Sequence, residues 1–197
     1  GMFDSPFVRR AAISLDVLGF AFEHRDWSVG AQQAEIRTYN PLGRVPVLVL
    51  DGGEPVIESS MILDYADNLV GDRALIPRGG EARRRALRSI ALSIGAVEKA
   101  LQIVGERVFR PQALWHAPYV ERCTSQLRGA LDELERSEWS DDLMQPAITL
   151  GCVLTYVHEA AGIDLAPWPG LAARRARLEA LPVFAKYYRP FDAPVPT

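Results

Sequence analysis

The stretch Asn40-Pro41-Leu42-Gly43-Arg44-Val45-Pro46-Val47-Leu48-Val49-Leu50-Asp51-Gly52-Gly53-Glu54-Pro55-Val56-Ile57-Glu58-Ser59-Ser60 decides the architecture. Val45 to Leu50 is a β-branched, apolar run that reads as a strand, with Pro46 near its start, where no ladder N–H is needed. Asp51 to Glu54 contains two glycines and turns the chain, so Pro55 to Glu58 returns as the second arm of a hairpin. From Ser59 to Val70 the period changes to helical, with Ile62, Tyr65, Ala66 and Leu69 on one side.

Upstream, Ser5 and Pro6 form a helix start, a hydroxyl at the N-cap and a proline at the first helical position. Phe7, Val8, Ala11, Ala12, Leu15 and Leu18 follow at helical spacing and Gly19 closes the segment. Phe20 to Trp27 alternates as a strand, and Ala31 to Tyr39 reads as a short helix ended by Asn40-Pro41. Downstream of a linker at Gly71 to Gly80 only helical periodicity remains. The expected helices are Glu81–Arg110, Tyr119–Ser137, Thr149–Ala161, Pro169–Glu179 and a short one at Val183–Tyr187. Strands first and helices afterwards predict an α+β chain, with an α/β unit at residues 1–72 and an all-helical unit at residues 79–197.

Of the 197 residues, 48% are apolar and 24% charged, with a net charge of −3. This composition suits a globular chain with a sizeable core and argues against a nucleic-acid partner. The densest basic run, Arg83-Arg84-Arg85-Ala86-Leu87-Arg88, precedes apolar positions at helical spacing and reads as a solvated helix face. The longest uncharged apolar stretch, Pro146 to Val157, falls short of the roughly 18 to 20 residues that a bilayer span needs. Gly1 to Pro6 lacks the basic and apolar regions of a signal peptide. Two cysteines, Cys123 and Cys152, make neither a disulfide framework nor a zinc cluster, so no metal is expected and the cytoplasm is the expected compartment. Cys152 is expected to be a buried structural thiol.

Three features carry chemistry, each with two readings. Ser5 caps a helix; the same helix end offers free N–H groups and a positive dipole, which favour a thiolate to which the hydroxyl can donate. Val45-Pro46 is an ordinary strand start or a specialised backbone edge. Glu58-Ser59-Ser60 caps the next helix, or forms a zwitterion site in which backbone N–H and a serine hydroxyl hold a carboxylate while Glu58 faces an ammonium.

Together, Ser5-Pro6-Phe7-Val8-Arg9-Arg10, Asn40 to Leu48 and Glu58-Ser59-Ser60-Met61-Ile62-Leu63-Asp64-Tyr65 resemble the cytosolic glutathione S-transferase family, in its serine-type, bacterial-like form. The resemblance implies a thioredoxin-like N-terminal domain followed by an all-helical domain. It implies an enzyme of detoxification that joins the glutathione thiolate to small electrophiles. In that carry-over Ser5 hydrogen-bonds the glutathione sulfur and Val45 pairs with the cysteinyl backbone. Pro46 is the cis-proline that exposes that edge, and Glu58 and Ser59 hold the γ-glutamyl group. Arg44 lies toward the glycyl carboxylate. The resemblance also implies glutathione as co-substrate without a metal, and a homodimer.

The chain departs from the family pattern at two places. Only Gly1 to Asp4 are available for the first strand, so a short strand and a weaker sheet are expected. Where many members place an acid three residues after a Ser/Thr cap, Thr149 is followed by Cys152. A glutathione-dependent disulfide oxidoreductase or dehalogenase, or a non-catalytic binding module, fits the same scaffold. Ser5 in place of a cysteine disfavours exchange through a protein thiol.

Overall fold

Ser5 adopts extended backbone and Pro6 fills the first position of α1 (Pro6–Val17), which ends before Gly19 at φ +84°. Every residue from Pro6 to Leu15 is buried, so this helix is surrounded rather than laid on a surface. The computed structural model describes residues 1–192; residues 193–197, the tail of the expected helical unit, lie outside them. After a short α2 (Gln33–Arg37) come β1 (Val47–Val49) and β2 (Pro55–Ile57), paired antiparallel with Val47 opposite Ile57 and Val49 opposite Pro55. Next is α3 (Ser59–Val70), at its expected bounds. The Asp67 carboxylate then accepts the N–H groups of Leu75 (2.8 Å) and Ile76 (2.9 Å), fastening the linker to α3.

Five α-helices follow among the described residues: α4 (Gly80–Val108), α5 (Ala117–Glu135), α6 (Gln145–Glu159), α7 (Pro169–Glu179) and α8 (Pro182–Lys186). On α5, Leu127, Leu131 and Leu134 fall on one stripe and meet Val97, Ile103, Leu150 and Leu154 in one core. A second core joins Ile13 and Leu15 of α1, Ala66 of α3, Ile148 and Cys152 of α6, and Phe184 of α8. Helix α6 belongs to both, being apolar nearly all round, and so links the first 70 residues to the helices that follow. Gly151 makes this possible at one point: a Cβ there would lie 2.6 Å from the Phe184 ring.

A polar clasp runs beside the second core. Arg9 donates to both carboxylate oxygens of Glu179 (2.7 and 2.6 Å) and to the Phe184 carbonyl (2.9 Å). Its guanidinium also lies over the rings of Phe184 and Tyr188, and Thr155 donates to Glu179 from α6. The Arg84, Arg85 and Arg88 side chains are exposed and pair with Glu81 or Glu133, as a solvated face should.

Three expectations fail. Phe20 to Trp27 forms no ladder, and among the described residues the sheet has two strands. A strand exists through its partner; the expected short strand at Gly1 to Asp4 does not form, and these residues supply one main-chain bond, from the Gly1 amino group to the Arg25 carbonyl at 3.0 Å, and no regular pairing. Thr149 is not a helix cap either. Helix α6 starts a turn earlier, with Pro146 in its first turn, and Thr149 accepts from Gln145 (3.2 Å) inside the helix. Gln145 in turn accepts from Ser14 of α1 (3.0 Å).

Candidate functional site

The hairpin register brings two of the sequence-derived stretches side by side. Because Val47 faces Ile57, Pro46 and Glu58 are the next residues at that end of the ladder. The Val45–Pro46 peptide bond is cis. Val45 lies against the first turn of α1: a Cβ placed on Gly1 would be 2.7 Å from both Val45 Cβ and Val8 Cγ2. Thus the amino end of α1, the Val45–Pro46 bend and the amino end of α3 meet in one region.

Asn40, which the sequence reading placed at a helix end without a role in the site, holds the bend. Fully buried, it donates from Nδ2 to the Arg44 carbonyl (2.8 Å) and accepts the Leu42 N–H on Oδ1 (3.1 Å). Its own carbonyl takes the Gly43 N–H at 2.8 Å, and Gly43 sits at φ +64°, where a side chain would be strained. An asparagine ahead of a proline is a turn former by its side-chain bonds, and that was the available signal. Arg44 itself is exposed, Val45 half-buried and Pro46 buried.

Ser5 is half-buried. Its Oγ accepts the Val8 N–H at 3.5 Å, the long limit for such a bond, so the cap is weak and the hydroxyl proton is uncommitted. Glu58 is the one non-glycine at positive φ among the described residues (φ 70°), a conformation that costs an L-residue energy and recurs at functional sites. Its carbonyl accepts from Met61 and Ile62, both at 3.0 Å, while no side chain caps α3. The first N–H groups of α3 therefore remain open to an anion. Ser59 is buried, and its hydroxyl donates to the exposed Glu58 carboxylate at 3.2 Å. A ligand carboxylate at this helix end would compete with Glu58 for that hydroxyl.

Behind the site lies a second residue missed from the sequence. Arg10 is 2% exposed, and its Nε and Nη1 find no partner. Burial brings its guanidinium down to about 10, opposed by Cys152 and Glu58, so it stays charged near neutrality. The Cys152 thiol is buried and free, and burial pushes it up to about 12. This thiol is inert, as expected. Among the described residues no group of three or more His, Cys, Asp or Glu could hold a metal ion, and no helix is long and apolar enough to cross a membrane.

The pattern of a family described as "Glutathione S-transferase, N-terminal domain" matches residues 1–74. The chain is 29% identical over 163 residues to the uncharacterized GST-like protein YibF of Escherichia coli K12, covering 80% of each chain. A probable maleylacetoacetate isomerase of Vibrio cholerae is 27% identical over 207 residues, 94% of this chain and 92% of that one. A glutathione transferase family member from Pseudomonas fluorescens Pf-5, solved with bound glutathione, superposes with a TM-score of 0.87 at 28% identity, covering 97% of this chain and 98% of that one. The architecture is therefore a thioredoxin-like N-terminal domain followed by a helical domain, and its first 74 residues match the N-terminal domain of the glutathione S-transferase family.

Proposed function

We propose that this protein binds glutathione and transfers its thiolate to small electrophiles, with Ser5 donating a hydrogen bond to the sulfur. One observation supports the reading above the rest: the cis Val45–Pro46 bend lies between the amino ends of α1 and α3. In this reading Val45 offers its backbone to the cysteinyl residue, beside Pro46. The open N–H groups of α3, with Ser59, take the γ-glutamyl carboxylate, and Glu58 takes the ammonium. Arg44, exposed at the outer edge, is assigned to the glycyl carboxylate.

A free thiol has a pKa of about 8.5 and is mostly protonated near neutrality. The Ser5 hydroxyl and the positive end of α1 favour the anion, so the nucleophile is present at a pH where free glutathione holds little of it. The thiolate attacks the electrophilic carbon and the leaving group departs with the bonding pair. The protein supplies approach and ionisation.

A glutathione-dependent isomerase is the second reading, favoured by the match to the Vibrio cholerae protein over nearly its whole length. There the thiolate would add to the substrate and leave again, regenerating glutathione. Disulfide or dehalogenation chemistry would have to run on the thiol of glutathione alone, since Cys123 and Cys152 are both buried. The proposal further divides the chain at residues 72 and 79, and carries a homodimer and a cytoplasmic location. Sedimentation tests the dimer.

Millimolar glutathione is expected to raise Tm, and conjugation of an aryl halide to glutathione to exceed the uncatalysed rate. No thermal shift would remove all of these readings at once. A shift without conjugation, but with turnover of a cis-alkene diacid at constant glutathione, would move the assignment to the isomerase.

A further inference from the structure

Asp51-Gly52 is the one place in the sequence where an aspartate or asparagine precedes a glycine, and it stands at the tip of the β1–β2 hairpin. Leu50 donates its N–H to the Glu54 carbonyl (2.9 Å), and its own carbonyl accepts the Gly53 N–H (2.8 Å), with Gly53 at φ +86°. This is the pattern of a three-residue hairpin loop, a turn completed by a residue in the left-handed region. Aspartate and glycine suit such a loop for conformational reasons alone. The same arrangement leaves two reactive groups free.

The first is the Gly52 N–H. It joins no backbone hydrogen bond among the described residues, because the loop closes through Leu50 and Gly53 instead. A Cβ on Gly52 would meet nothing within 4 Å, so the space beside its nitrogen is open. The second is the Asp51 carboxylate, which has no hydrogen-bond or ion-pair partner among the described residues; Asp51 to Glu54 are all exposed. Aspartates nearby are held differently. Asp64 and Asp67 lie in α3, whose ladder engages the N–H of the following residue, and Asp67 also accepts from Leu75 and Ile76.

Neighbours in the chain, these two groups can close a succinimide ring. The Gly52 nitrogen attacks the side-chain carboxyl carbon of Asp51 in its acid form. The N–C bond forms as the C–OH bond breaks, and the hydroxyl leaves as water with the amide proton. Water then adds to the ring. Opening at the side-chain carbonyl restores aspartate. Opening at the main-chain carbonyl leaves the chain running through the side chain, with the carboxylate on Cα. Water is the only co-reactant.

We propose that Asp51-Gly52 is a site of spontaneous isoaspartate formation, and that conversion loosens the hairpin that carries Pro46 and Glu58. Conversion adds a carbon to the main chain inside a loop whose closing bonds span only Leu50 to Glu54. The ladder beyond has just three pairs, Val47–Ile57, Leu48–Val56 and Val49–Pro55. So short a two-stranded pairing has little stability of its own to absorb a distorted turn. The inference concerns the covalent state of the loop and does not rest on glutathione chemistry.

The test incubates the 197-residue chain in neutral buffer for weeks and digests it with trypsin. The fragment from Val45 to Arg73 is followed by chromatography and electron-transfer fragmentation. The expected result is a second fragment of unchanged mass with isoaspartate at Asp51, while Asp64 and Asp67 in the same fragment stay unconverted. Gly52→Ala is expected to lose the second fragment; Gly52 does not occupy the left-handed region and has open space around it, so alanine is accommodated. Asp51→Asn is expected to convert faster than the parent, with release of ammonia, and faster than Asn68 on α3 in that fragment. Amide exchange at Val47 to Val49 is expected to lose protection in the aged parent and to keep it in aged Gly52→Ala. An aged parent without isoaspartate at Asp51, or with as much at Asp64, would overturn the site. Conversion with unchanged exchange at Val47 to Val49 would overturn the loosening. Glutathione enters no arm of this experiment, so failure of the ligand reading leaves these readouts intact.

Discussion

Replacing Ser5 by alanine separates the two roles that a serine at this position can play. As a helix cap the residue does little, because its bond to the Val8 N–H is 3.5 Å long. Loss of a cap costs about 0.5–2 kcal/mol, and this geometry places Ser5 at the bottom of that range. For a chain of this size Tm should fall by only about 1–2 °C. As a donor to a thiolate the residue does much more, since a hydrogen bond to a charged group contributes about 1.5–3 kcal/mol. At 1.36 kcal/mol per pKa unit, the bound thiol should rise by about one to two units. Conjugation of an aryl halide at pH 6.5 should then slow by about 10- to 150-fold. The pH dependence is the sharper readout. The deficit follows the thiolate fraction, so it should shrink as pH rises and nearly vanish once the thiol ionises unaided, near pH 9. An alanine variant with an undiminished rate at pH 6.5 would refute the assignment. So would a deficit that stays constant up to pH 9.

Three further perturbations test the frame around the site. Arg9→Met leaves the Glu179 carboxylate without its bidentate partner; with the Arg9 and Glu179 side chains 4% and 20% exposed, the loss should be about 3 kcal/mol, the low end for a broken buried pair, read by urea denaturation. Gly151→Ala should destabilise by about 1 kcal/mol, because the clash with Phe184 at 2.6 Å outweighs the helix-propensity gain, whereas Gly105→Ala, with nothing within 4 Å, should stabilise by about 0.5–1 kcal/mol; thermal melts of the pair check both signs. Burial raises the Asp4 carboxyl above its ordinary 3.8, so folding favours the protonated form and the charge weakens the fold above the raised value. Asp4→Asn should therefore be more stable than the parent at pH 7, with the gap closing as pH falls through the raised pKa toward 3.8, a trend that Tm against pH records.

What the amino-acid sequence reveals here depends on whether the signal is local. Helices α3 and α7 appear at their expected bounds, because a serine pair after the hairpin and Pro169 after Trp168 mark their starts. The Asn40 to Ser60 stretch is equally legible, since its turn residues and β-branched run act within a few positions. Phe20 to Trp27 was misread because alternation predicts an extended backbone, not the neighbour that makes it a strand. Thr149 was misread because a cap-like residue drew attention from Pro146, which starts α6 earlier. Arg9 and Arg10 carry charges and were given no place in the core, yet both are almost fully buried. Their burial follows from α3, α6 and α8 closing around α1, which no local pattern encodes. The apolar residues spread round α1, from Phe7 and Val8 to Leu15, were the faint sign of it.

The fate of these two arginines shows how the fold constrains the site. Arg9 is satisfied at both terminal nitrogens, with only its Nε left without a partner: two carboxylate oxygens, one carbonyl and two aromatic faces receive it, and it binds α1 to α7 and α8. Arg10, next in sequence, keeps two nitrogens without a partner in the same interior. A buried polar group without a partner costs roughly 1–3 kcal/mol, and more when charged. An apolar residue there would fill the core without that cost, so the cation is not explained by packing. Its field extends to Glu58, which stands at a strained backbone angle at the α3 end where an anion is proposed to bind. Arg9 thus anchors the helix that carries Ser5, while Arg10 keeps part of its charge unpartnered on the same helix, and an anion brought close to it would recover part of that cost.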